Sequence, residues 1–247
     1  MSACNRHAPN VITTFARRLI ESNGLDAAGF RRWLFFPGML FLSENSWWGD
    51  GRPRPFSHEG LDVCLFENRD ARRLRLDHRA FIPAADNCRV VSVIDDFIGK
   101  TIICTPISAP VSAPDEPAGD RGISDPDGAS HPVILYAHVL PANGISTGDA
   151  VRRGDLIARI APADPERTPL PPHFHISLLH AGFLPDPERL DWHRLNRLDR
   201  SAFIDPLHAL GFSENGMQMV DFDPKAAFHD EYAAVDSRLS GSCTKTP

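Results

Sequence analysis

From about residue 60 to residue 180 the chain is cut into short apolar or alternating runs separated by turn residues. Period-two alternation over runs of this length is the mark of antiparallel strands, because successive side chains of a strand face opposite ways. Strands are expected at 62–66, 89–95, 101–105, 133–138, 156–160 and 173–179. This predicts a mainly β fold, an antiparallel sheet or barrel-type domain, with helical additions at both ends (α+β overall). At the N-terminal end Val11, Ile12, Phe15, Leu19 and Ile20 fall at helical spacing, with Arg17, Arg18 and Glu21 on the other face and Asn23-Gly24 as a stop. A second short helix is expected from 26 to about 34, and part of 185–212 reads as helical. Residues 107–130 hold four prolines, five acidic residues and one arginine. Such a segment buries too little apolar surface to offset its ordering entropy, so it reads as a loop inserted in a hairpin, either solvated decoration or a lid. The expected organisation is an N-terminal helical extension over 1–45, a domain over 46–212, and a C-terminal extension over 213–247 with a frayed polar end.

Most of the chemistry-bearing residues lie on or beside those strands. Three segments stand out: His58-Glu59-Gly60-Leu61-Asp62, Tyr136-Ala137-His138 and His173-Phe174-His175. Residues two apart on a strand share a face, so His173 and His175 project together. Flanked by Pro171-Pro172 and by Ile176, Leu178 and Leu179, two polar rings have no packing reason to be there. Four imidazoles and a carboxylate together supply what a zinc ion and a hydrolytic acid/base pair require. The first segment admits two readings. Beginning with His58-Glu59, it resembles a defective helical H-E-x-x-H motif with Glu59 as general base. Gly60 inside that helix, Pro53 and Pro55 before it, and the strand-like Val63-Cys64-Leu65-Phe66 after it favour a turn entering a strand instead. In that second reading Gly60 permits close backbone approach or positive φ, and Glu59 faces solvent. Trp47 and Trp48 either line a groove beside this segment or belong to the core. His131 is expected to be exposed beside the 107–130 loop.

Composition removes several classes. A net charge of −6 and an isoelectric point near 6.0 leave no basic stripe for nucleic acid. Five cysteines, odd in number and without C-x-x-C spacing, indicate neither a structural zinc knuckle nor a disulfide framework. No apolar run approaches the ~18 residues that span a bilayer. The run 33–42 is broken by Pro37-Gly38 and lies too far from Met1 for a signal-peptide core. As written the chain carries no export address and reads as cytoplasmic.

In order and spacing, the H-x-G-x-D segment, a single later His after a Tyr-x step, and H-x-H resemble the lysostaphin/LytM-type zinc endopeptidases. Ser46-Trp47-Trp48-Gly49-Asp50-Gly51-Arg52 is similar to that family's aromatic lead-in. Gly148-Asp149-x-Val151-x-x-Gly154-Asp155-x-Ile157-Ala158 is similar to the hairpin before its H-x-H, and Phe203-Ile204-Asp205-Pro206-Leu207 to its trailing segment. The resemblance runs from about residue 46 to 180. It implies one Zn²⁺ held by His58, Asp62 and His175, with His138 and His173 off the metal as catalytic acid/base groups and oxyanion stabilisers around a zinc-bound water. Which imidazole is the base stays open. The implied substrate is the peptide part of bacterial peptidoglycan, cross-links or stem peptides, and the implied location is periplasmic or cell-wall-associated, against the missing export signal. Two positions depart from the pattern. Ser177 stands where the family commonly has an acid, and Asp86-Asn87 replaces Asp-Gly. A non-catalytic LytM-like module that activates another wall hydrolase is the alternative, although such relatives typically lose zinc ligands. A biotinyl/lipoyl-type carrier barrel fits poorly, because Lys100, the sole lysine before residue 225, lacks the required setting.

Overall fold

The computed structural model describes residues 14–107, residues 131–221 apart from 165, 167 and 169, and the pair 233–234. The inserted loop expected at 107–130 and the polar tail therefore lie almost wholly outside the described residues. Helix α1 (Phe15–Ser22) is capped by Thr14, whose hydroxyl accepts from the Arg17 amide at 3.3 Å, and it buries Phe15, Ala16, Leu19 and Ile20. The second helix is not formed. Residues 26–29 are turns closed by Gly29 at φ +79°, and Phe30–Phe35 runs on as strand β1. Its aromatic side chains find more burial paired in a sheet than a four-residue helical stretch ending in glycine could provide.

The strands after it, in chain order, are β2 (Leu61–Val63), β3 (Leu65–Asn68), β4 (Arg73–Arg75), β5 (Phe81–Pro83) and β6 (Cys88–Asp95). Then follow β7 (Lys100–Pro106), β8 (Val133–Pro141), β9 (Ala150–Val151), β10 (Leu156–Ile160) and β11 (Phe174–Leu179). Short helices α2 (Trp192–Leu195) and α3 (Pro206–Ala209) flank β12 (Phe203–Ile204), and β13 (Met217–Met219) and β14 (Ala233–Ala234) complete the set. Two sheets result. The larger runs β12-β11-β8-β7-β6-β9, with β2 beside β11 and β10 joining β8 to β5; all its pairings are antiparallel and its path does not close into a barrel. The smaller runs β13-β1-β3-β4-β14, antiparallel at its centre and parallel at both ends.

The strand expected at 62–66 is two strands. The chain pairs with β11 through Val63, passes Cys64, and pairs with β1 from Leu65 onward, so one buried stretch is shared between the sheets. A continuous core follows, extending from Phe15 to Val220. Phe212 ties its parts together. Its ring meets Phe15 at 6.1 Å, Trp33 at 5.5 Å and Phe35 at 6.0 Å, while Phe15 reaches Phe174 of the larger sheet at 6.0 Å. Phe212→Ala leaves a cavity where a helix and both sheets meet, and a loss of about 3–5 kcal/mol is expected from urea unfolding.

Candidate metal centre

Strand pairing brings the acid and one imidazole together. In the β2–β11 ladder Asp62 stands directly opposite His175. Their side chains touch, with His175 Nδ1 2.8 Å from Asp62 Oδ1. His58 enters from the loop before β2, held by its amide on the Ser43 carbonyl at 2.9 Å and by Nδ1 on the Leu40 carbonyl at 3.0 Å. Its Nε2 lies 3.1 Å from His175 Nδ1 and 3.3 Å from Asp62 Oδ1. All three side chains are buried.

The three donor atoms thus form a triangle with edges of 2.8, 3.1 and 3.3 Å. Tetrahedral ligands at zinc–nitrogen and zinc–oxygen distances stand roughly 3.3 Å apart, so the triangle has the size of one face of such a site. The outward atom of each residue is already engaged. His58 Nδ1 must donate to a carbonyl, which leaves Nε2 as a lone pair; His175 Nε2 meets Ser177 Oγ at 2.8 Å; Asp62 Oδ2 accepts from the Trp47 indole at 2.6 Å. Three electron-rich atoms this close together repel unless a proton or a cation lies between them. The residues therefore fit a metal, and His58, Asp62 and His175 could hold one ion. Burial opposes the charge of Asp62, but His58 and His175 overcome it and hold the carboxyl well below the usual carboxylate range.

Trp47 is not a groove residue. It is fully buried, and its indole is spent on Asp62, with Arg54 3.5 Å from the same oxygen. Trp48 does line the cleft above the centre, a space of about 190 Å³ walled also by Phe56, Phe97, Leu170 and Trp192. His131 is half-exposed beside Asp86 and takes no part in the cleft. Glu59 is likewise not solvent-facing. It is 8% exposed, and although burial raises its carboxyl, His175 and His58 bring it below its ordinary value.

The two remaining imidazoles flank the triangle. His173 Nδ1 donates to the Pro171 carbonyl at 2.9 Å, so Nε2 is the free atom, 3.7 Å from Asp62 Oδ1. Burial pushes this imidazole down to about 3, against the pull of Asp62. His138 is re-aimed by its backbone. At φ +60° it lies in the left-handed region, where β8 carries an extra residue relative to β7 between Tyr136 and Val139. Bulges of this kind redirect a side chain off the ladder. Its ring stands 4.8 Å from that of His173 and 5.7 Å from that of His175.

Asp96 was not among the sequence candidates. Its Oδ2 accepts from the His138 amide and the Thr101 hydroxyl, each at 2.9 Å, and Oδ1 accepts from the amides of Ile98 and Gly99. Oδ1 also lies 3.2 Å from His138 Nδ1, off hydrogen-bonding alignment, so that contact is electrostatic. The Trp192 indole extends the chain by donating to Thr101 Oγ1 at 2.8 Å. In sequence, Asp96-Phe97-Ile98-Gly99 signals only a turn.

No protein-family model and no curated protein matches the chain. Among solved structures it is similar to the catalytic domain of lysostaphin from Staphylococcus simulans, at 17% identity and a TM-score of 0.37, over 66% of this chain and 87% of that one. It is also similar to lysostaphin as solved by NMR, at 15% identity and a TM-score of 0.37, over 66% of this chain and 45% of that one. A third similarity is to a zinc-containing peptidase from Vibrio cholerae, at 17% identity and a TM-score of 0.34, over 66% of this chain and 40% of that one. The chain thus spans less than half the length of the second and third. At such values, what the centre can do is read from its own atoms.

Two substitutions test this geometry. Gly60 does not need positive φ; its role is close approach, since a Cβ there would overlap the Ile176 carbonyl oxygen and stand 2.6 Å from Ser177 Oγ and 2.7 Å from His175 Nε2. Gly60→Ala is expected to displace His175 and lower metal uptake at least tenfold, read by titration with a chelator competitor. Asp96→Asn is expected to cost about 1–3 kcal/mol in denaturant unfolding, because at most some of its acceptor bonds survive. Despite burial, contacts with His138 hold the Asp96 carboxyl below its unfolded value of 3.8. Its contribution is therefore lost as pH falls through the carboxylate range, so the gap between wild type and Asp96→Asn should narrow below about pH 4.

Proposed function

We propose that this protein is a zinc-dependent endopeptidase acting on peptide bonds of peptidoglycan-type substrates. The observation that carries the reading is the triangle of His58 Nε2, Asp62 Oδ1 and His175 Nδ1 at the floor of a cleft, with two further imidazoles beside it. Two neutral nitrogens and one carboxylate suit a single ion with a vacancy. A zinc ion held there supplies Lewis acidity toward a substrate carbonyl and toward water.

The chain's own groups divide the proton work. His173 faces the centre with an Nε2 whose tautomer is set by the Pro171 carbonyl, so it offers a lone pair that accepts a hydrogen bond from the attacking water and orients it. His138 has Asp96 beside Nδ1, and a carboxylate there offsets the positive charge of an imidazolium. That suits His138 to stabilise the developing oxyanion and hand a proton to the leaving amine. Trp48, Phe56, Phe97 and Trp192 form walls against which a peptide lies, away from bulk water. The wall-peptide substrate rests on the motif resemblance, which includes all five residues of the expected constellation.

Metal analysis of the purified protein beside muropeptide release from cell-wall suspensions tests the reading. His175→Ala is expected to lose both zinc and hydrolysis. His173→Ala is expected to keep zinc and lose hydrolysis by about 10²–10⁴-fold. Equal metal loss in both variants overturns the division of roles, and stoichiometric zinc with no peptide released overturns the wall-peptide substrate in favour of another peptide substrate or a regulatory module.

A further inference from the structure

His175 is gripped on both sides, and the side away from the triangle holds two groups that the motif pattern does not account for. Its Nε2 lies 2.8 Å from Ser177 Oγ and 3.4 Å from Glu59 Oε1. Ser177 is completely buried and Glu59 nearly so. A carboxylate is rarely buried without a partner, because leaving water costs it several kcal/mol. Within its reach on this face the partner is the imidazole of His175. Arg200, whose charge also acts on it, is committed through Nε to the Ser57 carbonyl at 2.8 Å and through its other nitrogens to the carbonyls of Leu198 and Asn196.

The geometry points to Glu59 as the positioning residue for His175, supplying from the loop before β2 the carboxylate of a carboxylate–histidine–metal relay. It rests on the metal-centre reading above. A carboxylate behind a ligating imidazole keeps the proton on the far nitrogen, fixes the ring's orientation and raises the basicity of the near nitrogen. Here the far nitrogen is Nε2 and the near one is Nδ1, the atom facing Asp62 and His58. Position 177, two past His175 on the same strand face, holds a hydroxyl too short and too weakly basic to do this alone. Gly60 makes the substitution of one source for the other possible. Without a side chain, its backbone approaches Ser177 Oγ and His175 Nε2 closely enough to carry residue 59 in behind the ring.

The test is zinc affinity of the full chain, measured by competition with a chromophoric chelator, for wild type, Glu59→Gln and Ser177→Ala, with thermal unfolding of the metal-free proteins as the control for folding. Glu59→Gln is expected to weaken zinc binding about tenfold or more while the metal-free protein unfolds at the wild-type temperature, and Ser177→Ala to weaken it less than about threefold. A merely structural glutamate would move the unfolding temperature and leave zinc affinity unchanged. Wild-type affinity in Glu59→Gln, or a larger loss in Ser177→Ala than in Glu59→Gln, overturns the assignment while leaving the metal centre standing. Absence of zinc uptake by wild type overturns both. Should Glu59→Gln not fold, Glu59→Asp carries the same test: drawing the charge back by one methylene should weaken zinc several-fold, and unchanged affinity counts against the relay.

Discussion

The pairing of β2 with β11 is the constraint on which everything else at the centre depends. Antiparallel register places Asp62 across from His175, and a slip of β2 by one residue would turn Asp62 to the face away from His175. That register is held from two sides. β11 is clamped between β2 and β8 through five matched positions on the β8 side, and β2 hands over at Cys64 to β3, which is locked into the smaller sheet. The two sheets thus share one covalent stretch, and their common core stiffens the base of the cleft. Metal sites need donors held to fractions of an ångström, and strands buried on both faces provide that precision better than loops do.

Around this base, buried charge is compensated at almost every step. Asp62 is met by Trp47 and Arg54, Asp96 by three amides and a hydroxyl, and Glu59 by His175. Each arrangement satisfies a group whose isolation would be costly and also restricts a ring or carboxylate to one orientation. Stability and chemistry draw on the same contacts here. Removing Trp47 or Asp96 would therefore disturb both.

Much of the fold could be read from residue order alone. The apolar runs at 89–95, 101–105, 133–138, 156–160 and 173–179 coincide with strands, and α1 lies within the stretch where Phe15, Leu19 and Ile20 share a face. The helix expected at 26–34 failed because its apolar residues are aromatic and follow Gly29, and strand pairing with β3 and β13 outweighs a weak local preference. Glu59 was expected on the wrong side of the protein surface, and Trp47 was left between groove and core, for one reason. Each is buried by a partner remote in sequence or by strand packing, which no local pattern encodes. Asp96 was invisible because its turn-forming role fully accounts for an aspartate there. Its second oxygen reaches the amide of a residue 42 positions away.

The order of residues by itself determined which side chains alternate along each strand, and so that His173 and His175 would share a face and that His58 and Asp62 would enter together past a glycine. These are local consequences of a two-residue period. Tertiary structure decided which atom of each ring points inward, that His138 turns into the cleft through a left-handed backbone, and that Asp96, Trp47 and Glu59 stand behind the three side chains they orient. Those outcomes depend on strand register and on contacts between segments far apart in the chain, where the energy of a buried hydrogen bond or a matched charge, rather than any local preference, selects the arrangement.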